Sequence, residues 1–116
     1  MYQNMTLEQI KLFLKHTKQD IIVTKLNRNI VASEFHLIGA IEVFKAIQSL
    51  DLNNITLSPA ESFWLKNPNV DILMFSIMTA LGIMWYSYQN SLNNLYETEI
   101  DLKSEKDKKV LLNKLN

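Results

Sequence analysis

Cysteine is absent from all 116 residues. Disulfide frameworks, thiol nucleophiles and zinc–thiolate sites are thereby excluded, and a chain of this length can bury a single core without such staples. Glycine occurs only at Gly39 and Gly82, and neither HExxH nor GxSxG is present. No backbone loop is therefore built to cradle a phosphate, and nucleotide hydrolysis is not expected. Arginine is reduced to Arg28 against eleven lysines, which removes the bidentate clamps that usually hold carboxylates and phosphates. An excess of either charge is missing too. Twelve basic residues face twelve acidic ones, with six of each sign in residues 1–65 and six of each in 66–116. Neither half has a surplus for a nucleic-acid backbone, so no nucleic-acid partner is expected. The start, MYQNMTLEQIKLFLK, lacks the basic, apolar and small-residue regions of a secretory leader, and a cytoplasmic location is the expectation.

What is present reads as mainly α, a small helical bundle with one long central helix. Asparagine and isoleucine reach twelve each, the codon bias of an AT-rich genome. Thr6 and Gln9 have the spacing of a capping box, followed by Leu7, Ile10, Phe13 and Leu14 at helical intervals with Lys11, Lys15 and Lys18 turned outward. Residues 21–32 read either as helix or as a short β-hairpin around Asn27, Arg28 and Asn29, because Ile21, Ile22, Val23 and Thr24 are β-branched. Ser33 can cap a second helix with Leu37, Ile38, Ile41, Phe44, Ile47 and Leu50 inward and Glu34, Glu42, Lys45 and Gln48 outward. Asp51 to Asn54 reads as a loop, SPAE at 58–61 opens a short helix, and NPN at 67–69 opens a long one running to about Tyr96. The charged tail after it suggests a division into a helical domain, 1–96, and a C-terminal helix or tail, 97–116, with Ser104 as a cap.

The long helix poses the main question, because VDILMFSIMTALGIMWYSY at 70–88 carries one charge. A membrane span is one reading, supported by Trp64, Trp85, Tyr86 and Tyr88 as an interfacial belt. Against it, Asn67, Pro68, Asn69 and Asp71 occupy one end and no basic cluster flanks either side. Asn69, Ser76, Thr79, Ala80, Ser87, Asn90 and Asn94 also fall into one stripe, with Met74, Met78, Leu81, Trp85, Leu92 and Tyr96 opposite. A polar stripe suits a helix packed in protein and wetted on one side. The apolar arc nevertheless exceeds what one small domain covers. A shared interface is therefore expected at Met74, Ser76, Met78, Ala80, Leu81, Trp85, Ser87 and Tyr88, where small residues admit a second copy and methionines adapt to a partner helix.

Catalytic chemistry finds little support. His16 and Asp20 stand at i, i+4, and His36 lies near Glu34, but solvated lysine-rich surroundings favour ordinary surface histidines over metal ligands. Asp71 sits in the first turn of the long helix, where the dipole explains it. The expectation is thus a non-enzymatic protein without cofactor or metal, acting through protein contacts as a homo-oligomer that also binds another protein. Its size and lack of motifs suit a regulator, inhibitor or immunity-type protein of an AT-rich bacterium or its phage. Alternatives are a membrane-associated protein inserting residues 70–88, and a binder of a small planar or nucleotide ligand on its tyrosine and tryptophan faces.

Overall fold

The computed structural model describes residues 2–50 and 59–115. Among these, three helices take up nearly everything and no strand occurs: α1 (Leu7–Leu50), α2 (Pro59–Lys66) and α3 (Pro68–Leu115). α1 starts at the predicted box. The Thr6 N–H donates to Gln9 Oε1 at 2.9 Å and the Gln9 N–H to Thr6 Oγ1 at 3.2 Å, so two otherwise orphaned donors are satisfied. α3 starts at the NPN punctuation, where Asn67 Oδ1 accepts from the Asn69 N–H at 2.9 Å. The loop expected at Asp51 to Asn54 and the cap expected from Ser58 lie outside the described residues.

Three expectations are corrected. The hairpin near 21–32 does not form: these residues lie inside α1, and no described residue has the positive φ that tight hairpin turns use. Burial outweighs β-branched preference there, Ile21 and Val31 being 9% and 5% exposed. Nor does a helix begin at Ser33. Its hydroxyl donates to the Asn29 carbonyl at 3.0 Å, the back-bond of a serine in mid-helix. α3, finally, passes Glu97 and Ser104 unbroken. No glycine or proline follows Gly82, and Lys103 to Glu99 at 2.9 Å and Lys108 to Glu105 at 3.5 Å add ion pairs along its surface.

The chain forms two compact units, Met1–Arg28 with Ser87–Asn116, and Asn29–Tyr86. Each pairs a stretch of α1 with an antiparallel stretch of α3, and the second also holds α2. In each unit a pair of antiparallel helix stretches thus replaces the expected bundle around one central helix. Within each unit the least exposed side chains alternate at intervals of three and four, the 3.5-residue period of a coiled-coil seam. On α1 they are Ile10, Leu14, Thr17, Ile21, Thr24 and Arg28 in the first unit, and Val31, Phe35, Ile38, Glu42 and Lys45 in the second. On α3 they are Met74, Met78 and Leu81 after Asp71 in the second unit, and Tyr88, Leu92, Leu95, Glu99 and Leu102 in the first.

The first unit's end is closed by the N-terminal segment. Tyr2 and Met5 pack on Ile10, Leu14 and Leu102, the Tyr2 and Phe13 rings meet at 6.0 Å, and Lys109 Nζ donates to the Gln3 carbonyl at 3.0 Å. Polar seam members are accommodated individually. Thr17 Oγ1 donates to the Phe13 carbonyl at 2.9 Å, and Arg28 Nη1 donates to Gln89 Oε1 at 2.7 Å. Among the described residues only seven hydrophobic side chains are buried, while twenty-four large ones are exposed. Two helices present one seam each to the other and leave the rest of their circumference open.

Candidate interaction surfaces

The exposed apolar side chains are ordered. In the second unit, Ile30, Leu37, Phe44 and Ile47 are 47%, 63%, 60% and 56% exposed, and with exposed Ser33 and Ala40 they repeat the three–four spacing. Each lies two positions beyond a seam residue, about 206° around a helix of 3.5 residues per turn, and so points away from α3. In an ordinary coiled coil these outermost positions are the most polar. Sequence reading placed Leu37, Phe44 and Ile47 inward and Glu42 and Lys45 outward. At these positions the arrangement is reversed, Lys45 being 4% exposed, Glu42 half-buried and the three large apolar residues exposed, whereas Ile38 and Ile41 are half-buried and Glu34 and Gln48 exposed as expected.

The eight residues expected at an interface do not share one face. Met74, Met78, Leu81 and Tyr88 belong to the α3 seam, Leu81 being buried and the others half-buried. Trp85 follows the same spacing at 40% exposure. Ser76, Ala80 and Ser87 lie on the exposed opposite side. Around them Ile72, Leu73, Phe75, Ile83 and Tyr86 are 57% to 70% exposed. Two polar residues of that side present little free polarity, since Ser76 Oγ donates to the Ile72 carbonyl at 2.7 Å and Thr79 Oγ1 to the Phe75 carbonyl at 2.9 Å. α3 is long and apolar enough to cross a bilayer by length and composition, and only 6% of its most apolar stretch is buried within the chain.

A charged rung joins α1 to α3 in the second unit. Lys45 Nζ donates to Asp71 Oδ1 and lies 5.6 Å from the centre of the Trp64 ring on α2. Glu42 stands beside Asp71, with its Oε1 buried and lacking a hydrogen-bond partner. Burial, then the hydrogen bond to Asp71 and its charge, hold the Glu42 pKa above the ordinary glutamate value, with Lys45 opposing. The hydrogen bond from Lys45 leads in holding Asp71 below the ordinary aspartate value, against its own desolvation. Gly39, Val43, Ala46, Leu65, Phe75 and Met78 complete the walls of this groove of about 580 Å³. Sequence reading took Asp71 for a helix cap and missed its partners. The signal was available in the spacing, since Phe35, Ile38, Glu42 and Lys45 continue the buried line from Val31.

Of the four aromatic residues expected to stack on a ligand, Trp64 is engaged by Lys45. Trp85 instead lines an apolar groove of about 310 Å³ with Phe35, His36, Leu81 and Gly82, where the Phe35 and His36 rings meet edge to face at 6.0 Å. His16 and His36 both lie on exposed positions of α1, and among the described residues no three histidine or carboxylate side chains converge. Comparison with known proteins finds no matching family model, no matching curated protein and no matching solved structure.

Proposed function

We propose that this chain is a non-enzymatic, cytoplasmic helical protein that associates with itself and works by binding another protein, as a regulator or inhibitor. The observation that carries the reading is the ordered apolar surface of the second unit, which the described residues leave uncovered. Exposed apolar area of this extent marks association in soluble proteins. Protein is favoured over lipid as the cover because Glu34, His36 and Gln48 are exposed on the same stretch of α1, where acyl chains would have to meet an acid. A lipid surface also has no need of small residues interleaved among large ones.

Light scattering on protein purified without detergent tests this. A defined multiple of the 13.5 kDa chain mass is the expected result. A monomer, or protein recovered only from the membrane fraction, refutes it. The latter outcome would favour a second reading, insertion of residues 70–88, which draws on the apolar α3 stretch and its internally bonded hydroxyls. A planar ligand in the Trp85 groove is a third reading, supported by the Phe35 and His36 rings. It is tested by thermal shift against a nucleotide panel.

A further inference from the structure

We infer that two copies of this chain pair antiparallel through the outward face of α1 in the second unit, with Ile30 of one copy against Ile47 of the other, Ser33 against Phe44, and Leu37 against Ala40. This rests on the self-association proposed above and supplies its face, direction and register.

The face is selected by its spacing. Ile30, Ser33, Leu37, Ala40, Phe44 and Ile47 have the alternating intervals that let one helix seat knobs between the residues of another, and all six are exposed in the single chain. The direction follows from size. In the antiparallel register the four inner layers each set a large side chain against a small one, Phe44 on Ser33 twice and Leu37 on Ala40 twice, which suits interdigitated packing. A parallel pairing would stack Phe44 on Phe44 and leave Ser33 opposite Ser33.

Burying Ser33 leaves no orphaned donor, because its hydroxyl is already committed to the Asn29 carbonyl at 3.0 Å. The flanking Glu34 and His36 fall nearest Ile41 and Val43 of the second copy, so no like charges meet. Each helix contributes Ile30, Leu37, Phe44, Ile47 and the flanking Val43, the last 61% exposed. At roughly 100 Å² apiece over two copies, they offer about 1,000 Å² of apolar surface, the threshold for a specific interface. Because the face is complementary to itself, the pairing closes as a two-fold dimer and leaves no open end to extend.

The absence of cysteine allows a direct test. Leu37→Cys and Ala40→Cys chains are coexpressed, isolated without detergent and oxidised. Cross-linked dimer should form preferentially between the two variants, since partners in one layer bring their Cβ atoms within the roughly 4 Å that a disulfide requires. Either variant alone is offset by three residues, about 4.5 Å along the axis, and should link poorly. Equal or faster linking of each variant to itself indicates parallel pairing and overturns the register.

A retained dimer mass with linking only between Ser76→Cys and Ala80→Cys moves the contact to α3, overturning this face while self-association survives. A monomer removes both. Leu37→Glu supplies the second measurement. Exposed in the single chain, it should abolish the dimer while far-UV circular dichroism stays unchanged, and a persisting dimer overturns the proposal.

Discussion

Replacing Glu42 by glutamine should stabilise the fold at neutral pH and lose that advantage in acid. In the wild-type chain a carboxylate lies beside Asp71 with Oε1 buried and unpartnered. The Oε1 site stays unpartnered in either side chain, so the difference arises at the carboxyl oxygen facing Asp71, where a hydrogen bond in place of a like-charge contact contributes about 1 kcal/mol net. Glutamine keeps the shape, removes the repulsion from Asp71 and can donate an amide N–H to it, while Lys45 keeps its ion pair. The expected gain is about 1 kcal/mol, or about 4 °C in Tm for a chain of this size.

The pH dependence follows from the direction of the Glu42 shift. A carboxyl whose folded pKa is raised contributes stability that is complete below its unfolded value, here 4.5, and is lost as pH rises through the folded value. Wild type therefore catches up with the variant on acidification. Urea denaturation followed by circular dichroism, at neutral pH and in mild acid, measures both quantities. A glutamine variant less stable than wild type at neutral pH, or an advantage that does not shrink in acid, refutes the arrangement described for Glu42. Asp71 has the opposite sign. Its contribution is present above 3.8 and disappears as pH falls through its lowered folded value, so Asp71→Asn should destabilise at neutral pH.

Leu102→Ala should cost about 2 to 5 kcal/mol by emptying a fully buried site in the first unit, whereas Leu111→Ala, at a 59% exposed site, should change chemical denaturation little. Equal effects would contradict the seam assignment. Gly82→Ala should raise stability by about 0.5 to 1 kcal/mol, because a Cβ there meets nothing within 4 Å and the helix interior loses a glycine. A lower melting temperature would reveal a close neighbour at that point. Ala80→Trp fits the exposed side of α3 in a lone chain and should be silent in a monomer. Loss of assembly in that variant would locate a second helix on α3.

Two helix starts were legible in the sequence because capping is local chemistry, although the same chemistry expected at Ser33 and Ser104 falls inside unbroken helices. Thr6 with Gln9 and Asn67 before Pro68 needed only their own neighbours to act. The continuity of α1 was not legible. Four successive β-branched residues, Ile21 to Thr24, disfavour helix locally, and only a partner helix burying Ile21 reverses that. The seam was hidden for a related reason. Large apolar residues surround the second unit on nearly all sides, so composition gives no strong facing direction, and Glu42, Lys45 and Asp71 look like surface groups until they are seen to meet. The polar stripe of α3 was correctly traced along Ser76, Thr79 and Ala80. Its meaning changed with the hydroxyl geometry, since a hydroxyl bonded to its own helix asks little of water.

A three–four repeat cannot by itself tell one axial alignment from another. Sliding either helix by seven residues sets oily rows on oily rows again. In each unit one rung breaks that degeneracy, Arg28 with Gln89 in the first and Lys45 with Asp71 in the second. A slipped pairing in the second unit would bring Lys45 level with Met78 and strand an ammonium in a dry gap. These rungs therefore act as a vernier more than as glue. Exchanging Lys45 and Asp71 together for leucines should give a second unit more resistant to heat but less certain of which notch it has closed upon.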